Sequence, residues 1–81
     1  MDTPTRLKRL RYRSWHRGCK ETDIILGRFA DERLETLDIS MVDVYERLLD
    51  EDDAHIWGWL TGKDVPKDYA PLLAKIQGFE D

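Results

Sequence analysis

One cysteine, Cys19, occurs in the 81 residues. A lone thiol excludes an intrachain disulfide and any zinc site built on several cysteines. Long apolar runs are also missing. The longest is Ile24-Ile25-Leu26, far short of the roughly 18 residues a membrane-spanning helix needs. Nothing near the N-terminus resembles the apolar core of a secretory signal. Strand-like alternation is nearly absent, and so are the phosphate-binding glycine loop, the dinucleotide-binding glycine motif and the H-E-x-x-H pair. These absences point to a soluble protein of a reducing compartment with no ready-made catalytic template. The chain is 41% hydrophobic with a mean hydropathy of −0.63, enough for a small core. A chain of this size buries only about 60% of the surface its unfolded form exposes, and residues 1–81 read as a single domain.

Charge is unevenly spread. Residues 1–20 hold seven bases (Arg6, Lys8, Arg9, Arg11, Arg13, Arg17 and Lys20) against the single acid Asp2, whereas residues 21–81 hold six bases and sixteen acids. Tyr12 and Trp15 lie among the N-terminal bases, which admits a nucleic-acid-binding helical domain as one reading. The other reading is a basic helix offset by the acidic remainder of the same molecule. A net charge of −4 argues against phosphate-dominated binding. Neither a nucleic acid nor a membrane is expected as a partner.

Apolar spacing predicts five short helices, an all-α fold in a compact bundle. The first spans about residues 6–15, capped by Thr5 and interrupted by Gly18. The second runs from about Lys20 to Leu34, with Glu21 and Asp23 in its first turn, where the positive end of the helix dipole favours acids. Gly27 should weaken it. Asp38 caps the third, whose face is Met41, Val44, Tyr45, Leu48 and Leu49. Asp53 is expected to cap a fourth helix carrying Ile56, Trp57 and Leu60, with Gly62 at its C-terminal end. Asp68 is expected to cap a fifth, with Tyr69, Leu72, Leu73 and Ile76 inward and Gly78 at its end. Leu48, Leu49, Trp57, Leu60, Leu73 and Phe29 should form the centre. Trp57 and Trp59 point to different faces of the fourth helix; Trp57 matches the core stripe and Trp59 admits an exposed contact, with core or satellite packing the favoured reading for both.

Few constellations suggest chemistry. His16 and His55 lack ligand spacing, Ser14 and Ser40 lack a nucleophile motif, and Asp50 to Asp53 lacks the alternating ligands and glycine of a calcium loop. A thiol redox sensor at Cys19 would have no resolving cysteine. The segment Trp15 to Asp23 stands apart. It places an aromatic, three bases, two acids, a glycine and the thiol at a helix junction. Glycine permits close approach of another surface. The planar fork of arginine suits carboxylates or phosphates. Arg17, Gly18 and Glu21 lie outside every apolar stripe and are expected to be exposed.

Arg17-Gly18-Cys19-Lys20-Glu21 fits the signature R-G-x-x-E, and Asp23 extends it to R-G-x-x-E-x-D. Downstream, Tyr45-Glu46-Arg47-Leu48-Leu49-Asp50-Glu51-Asp52-Asp53 followed by Trp59-Leu60 is similar to an RLLE-DD…WL stretch. On these residues the chain resembles the succinate dehydrogenase FAD assembly factors, the SdhE family, called succinate dehydrogenase assembly factor 2 in mitochondria. The resemblance runs from about Arg6 to Gln77. It implies a five-helix fold and an assembly factor rather than an enzyme. The implied partner is the flavoprotein subunit of succinate dehydrogenase, or in some bacteria of fumarate reductase; the factor would promote covalent attachment of FAD to a histidine of that subunit. Arg17, Gly18, Glu21 and Asp23 would form the partner-binding surface. No catalytic residue, metal or tightly bound cofactor is implied; the FAD acted on is the client's, and Cys19 receives no role. The free chain is expected to be a monomer. The lack of a presequence suggests a bacterial cytoplasm rather than a mitochondrial matrix.

Overall fold

The structure is a computed structural model that describes residues 2–80. Its five α-helices are α1 (Thr3–Trp15), α2 (Lys20–Arg33), α3 (Ile39–Leu49), α4 (Asp53–Leu60) and α5 (Ala70–Glu80), with a 3-10 turn at Leu34–Thr36 between α2 and α3. No strand occurs among the described residues. The all-α, five-helix expectation therefore holds.

Local chemistry explains the boundaries. The cap of α1 is Asp2, not Thr5: its carboxylate accepts the Thr5 N–H at 2.9 Å. Pro4 sits in the first turn, where its missing N–H costs nothing, so the helix starts earlier than apolar spacing suggested. Asp38 caps α3 as expected, accepting the Met41 N–H at 2.9 Å. The cap of α4 is Asp52, which accepts from His55 N–H at 2.8 Å; Asp53 is already helical. At the far end Gly62 adopts φ +90°. Its N–H donates to Trp59 C=O and the Lys63 N–H donates to Gly58 C=O, the paired bonds of a Schellman stop.

α5 departs from expectation at both ends. The Tyr69 and Ala70 amides donate to Pro66 C=O, so Asp68 stays in a turn before the helix. At the other end α5 continues through Gly78. The half-buried Phe79 packs edge-on to Phe29, with ring centroids 5.9 Å apart, and the Arg33 guanidinium lies over its ring. Those contacts hold the last turn helical despite the glycine.

α1 and α2 make the most extensive helix pairing. The core draws on every helix, with Leu10, Leu26, Phe29, Tyr45, Leu48, Ile56, Leu72, Leu73 and Ile76 buried. Of the expected centre, Leu60 is half-buried and Trp57 is exposed. Burying one such aliphatic side chain is worth about 1.5–3 kcal/mol. One polar chain crosses this core: the Tyr45 hydroxyl lies 2.6 Å from Ser14 Oγ, which reaches Leu10 C=O at 2.7 Å. Burial pushes the Tyr45 phenol well above its ordinary value, so it stays protonated as a hydrogen-bonding strut.

The basic arm is folded onto the acidic remainder. Arg6 pairs with Asp43 and Glu46, Arg11 with Glu35, and Arg13 with Asp50 at 2.7 Å. Exposed pairs of this kind are each worth about 0–1 kcal/mol. They nevertheless draw these bases into the molecule and away from a phosphate backbone, which favours the offset-helix reading over nucleic-acid binding.

Candidate functional site at the helix junction

The junction between α1 and α2 is tied by side chains of the motif itself. Asp23, in the first turn of α2, reaches back to accept the backbone N–H of Arg17 at 3.1 Å and of Gly18 at 3.3 Å. These donors would otherwise lack a helical partner. Gly18 has φ +104°, and a β-carbon there would meet nothing within 4 Å. Backbone conformation, not crowding, demands glycine. Cys19 takes the cap position of α2 without a side-chain bond to the backbone. Its Sγ instead accepts from the buried Thr22 hydroxyl at 3.3 Å.

Arg17 does not lie on the surface as expected. Its side chain is only 11% exposed and its Nε donates to Asp53 Oδ1 at 2.7 Å. The two terminal nitrogens donate to the Leu49 and Glu51 carbonyls. Leu49 is the last residue of α3 and Glu51 lies in the turn just beyond it, at the helix end where a cation is favoured. The fork thus joins the α1–α2 junction to the α3–α4 connection. Replacing Asp53 by Asp52 as the α4 cap is what frees the Asp53 carboxylate for this contact.

Glu21 is exposed in the first turn of α2. Its carboxylate pairs with no base among the described residues, and Cys19 Sγ is 3.7 Å from it. The structure therefore brings Arg17, Gly18, Asp23 and Glu21 into one junction but divides them. Arg17 and Asp23 are turned inward onto backbone groups, while Gly18 and Glu21 face outward.

Next to Glu21 lies a groove of ≈ 280 Å³ lined by Cys19, Glu21, Asp53, Ala54 and Trp57. Apolar spacing predicts Trp57 in the core, yet it is 42% exposed. Trp59 packs as the favoured reading expects: it is half-buried between His55 and Tyr69, with ring centroids 5.7 and 5.3 Å away. Ile56, Trp59 and Leu60 follow i, i+3, i+4, and that spacing, centred on the buried Ile56, was the signal that selects Trp59 over Trp57. A larger hollow of ≈ 440 Å³ lies at the other end of α2, among Phe29, Arg33, Met41, Lys75 and Phe79, remote from the motif. Among the described residues no cluster of His, Cys, Asp and Glu could hold a metal ion, and no helix is long and apolar enough to cross a membrane.

Comparison with known proteins places the chain. Residues 8–80 match a family model described as "Flavinator of succinate dehydrogenase". "Succinate dehydrogenase assembly factor 2, mitochondrial" of Meyerozyma guilliermondii is 46% identical over 57 residues, covering 70% of this chain and 42% of that protein. "FAD assembly factor SdhE" of Xylella fastidiosa is 35% identical over 79 residues, covering 95% and 80%. The protein of that name from Coxiella burnetii is 32% identical over 79 residues, covering 95% of both chains. The match spans only 42%, 23% and 41% of the Meyerozyma, Aspergillus terreus and Schizosaccharomyces pombe proteins. The expectation of a bacterial cytoplasm does not stand, because the fungal relatives, at 39–46% identity, are named as mitochondrial proteins. With the family model covering nearly all of the five-helix fold and several relatives above 30% identity, the chain belongs to the succinate dehydrogenase flavinator family, that of the FAD assembly factors.

Proposed function

We infer that this protein binds the flavoprotein subunit of succinate dehydrogenase and promotes covalent attachment of FAD to it, using the surface that Arg17, Gly18, Glu21 and Asp23 build. The observation that carries the reading is the outward carboxylate of Glu21 beside a positive-φ glycine, in a chain whose family match covers residues 8–80. Arg17 and Asp23 hold the junction rigid through their bonds to backbone groups. Gly18 offers bare backbone for close approach. Glu21 presents a carboxylate with no internal base to neutralise it.

The bond-forming chemistry belongs to the flavin and the client protein. The factor acts by binding the client state in which flavin and acceptor side chain are aligned, and so raises the population of that state. Such a role needs shape and charge complementarity, not a catalytic group of its own. A fumarate reductase flavoprotein is a second client within the same reading.

The test compares wild type with Glu21→Ala, reading thermal stability and covalent flavin on the client subunit from in-gel fluorescence after denaturation. The expected result is an unchanged melting temperature with flavinylation lost at limiting factor. Full flavinylation by the folded variant would remove Glu21 from the docking surface.

A further inference from the structure

Trp57 is a large exposed aromatic that the fold leaves unused. Trp15 is packed against Gly27 and Trp59 lies between two rings, but Trp57 stacks on no ring among the described residues. It walls the ≈ 280 Å³ groove that begins at Glu21. Only five residues line it, a footprint that suits a single inserted side chain. The lining is the indole and Ala54 on the apolar side, with Glu21 and Asp53 as its charged groups and no base. Asp53 already shares an oxygen with Arg17 at 2.7 Å, which leaves Glu21 as the unneutralised charge.

This chemistry selects one occupant. An indole face attracts a guanidinium or ammonium, an apolar wall takes the methylene stem of a long cationic side chain, and a carboxylate at the rim closes a charge-assisted hydrogen bond. We propose that the groove receives an arginine or lysine side chain of the flavoprotein, its stem against Trp57 and its charged head at Glu21. Arg6, Arg11, Arg13 and Arg17 are held in internal ion pairs, while Arg28, Arg47 and Lys63 are exposed, so a second copy of this chain is the competing occupant that the test separates. The proposal rests on the docking function above and names the contact that gives it affinity.

The experiment titrates the apo-flavoprotein subunit of succinate dehydrogenase into wild type, Trp57→Ala, Trp57→Phe and Ala54→Phe, each checked by thermal melting. Ala54 is exposed, so Ala54→Phe fills the groove without touching the core and carries the test even where Trp57→Ala folds poorly. Trp57→Ala and Ala54→Phe should each weaken binding by roughly tenfold or more, while Trp57→Phe keeps most of the affinity. Trp57→Ala combined with Glu21→Gln should lose less than the sum of the single losses, the mark of one shared contact. Wild-type binding with Trp57→Ala and Ala54→Phe unimpaired would overturn the groove and leave the docking function standing. Loss of self-association in place of client binding would overturn the choice of occupant. A wild type that does not bind the subunit at all would bring down both.

Discussion

The indole ring of Trp15 occupies the place where a side chain at Gly27 would begin. A β-carbon on Gly27 would fall 2.3–2.7 Å from three ring atoms, well inside van der Waals contact. The ring is fixed one turn further along α2, where its Nε1 donates to Asp31 at 3.2 Å. Gly27 is therefore the notch that lets α1 lie close against α2 and sets the distance across which the motif junction is strung.

Gly27→Ala tests this directly. Helix propensity alone would make alanine more stable by about 1 kcal/mol. The overlap with Trp15 should reverse that sign and destabilise by about 1–3 kcal/mol. In a Trp15→Ala background the same change should become neutral or stabilising. Denaturant titration of the four proteins in the cycle checks it, and a destabilising Gly27→Ala in both backgrounds would mean that the notch is not what matters.

The tryptophans of α4 make a second contrast. Trp57→Ala should shift stability by no more than about 1 kcal/mol, because the ring is 42% exposed. Leu48→Ala, at a fully buried position, should cost about 2–5 kcal/mol. Trp59→Ala should fall between them, since it strips the half-buried ring from Tyr69 and His55. Thermal or urea unfolding orders the three, and a Trp57→Ala loss as large as that of Leu48→Ala would return Trp57 to the core.

The helices were legible because each buries a periodic stripe. Tyr45, Leu48 and Leu49 on α3 and Leu72, Leu73 and Ile76 on α5 are buried as their spacing requires. What failed were choices between adjacent residues of similar type. Asp52 and Asp53 are both good caps; Asp52 takes the cap while Asp53 pairs with Arg17 across the junction, a long-range contact that local spacing does not reveal. Trp57 is the misplaced residue of α4: it and Trp59 lie two residues apart, about 200° round the helix, and the buried Ile56 sets the phase that turns Trp57 outward. The motif residues were legible as a group. Their division into inward and outward members depends on the end of α3, which no local spacing reveals.

Asp38 gives a pH dependence whose sign is fixed. The Met41 backbone N–H and then the Ser40 hydroxyl hold its carboxyl below the ordinary value of 3.8. A folded-state value below the unfolded one contributes stability that is present above the unfolded value and lost as pH falls through the folded one. The melting-temperature gap between wild type and Asp38→Ala should thus be constant near neutrality and close once the pH drops below 3.8. A gap that persists unchanged down to about pH 2 would show that the carboxylate is not what caps α3.

Arg17 separates holding the junction from meeting the client. Its guanidinium, 11% exposed, donates to Asp53 and to the carbonyls of Leu49 and Glu51. Removing it leaves a half-buried carboxylate and the end of α3 without their donor. Hydrogen bonds to a charged group are worth about 1.5–3 kcal/mol each, and unsatisfied buried acceptors add to the loss. Arg17→Ala should therefore destabilise by about 2–4 kcal/mol after partial rehydration of the carbonyls. Arg17→Lys restores a charge but not the fork, because an ammonium cannot span a carboxylate and two carbonyls in one plane. It should recover less than half of that loss. Asp53→Ala should cost less than Arg17→Ala, since the guanidinium keeps both carbonyls. Each variant is compared with Glu21→Ala by urea denaturation. Glu21→Ala should leave the midpoint unmoved, because its carboxylate is exposed and pairs with no described base. An Arg17→Ala protein as stable as Glu21→Ala would show that the guanidinium does not tie α3 to the junction, and that Arg17 belongs with Glu21 among the outward-facing contacts.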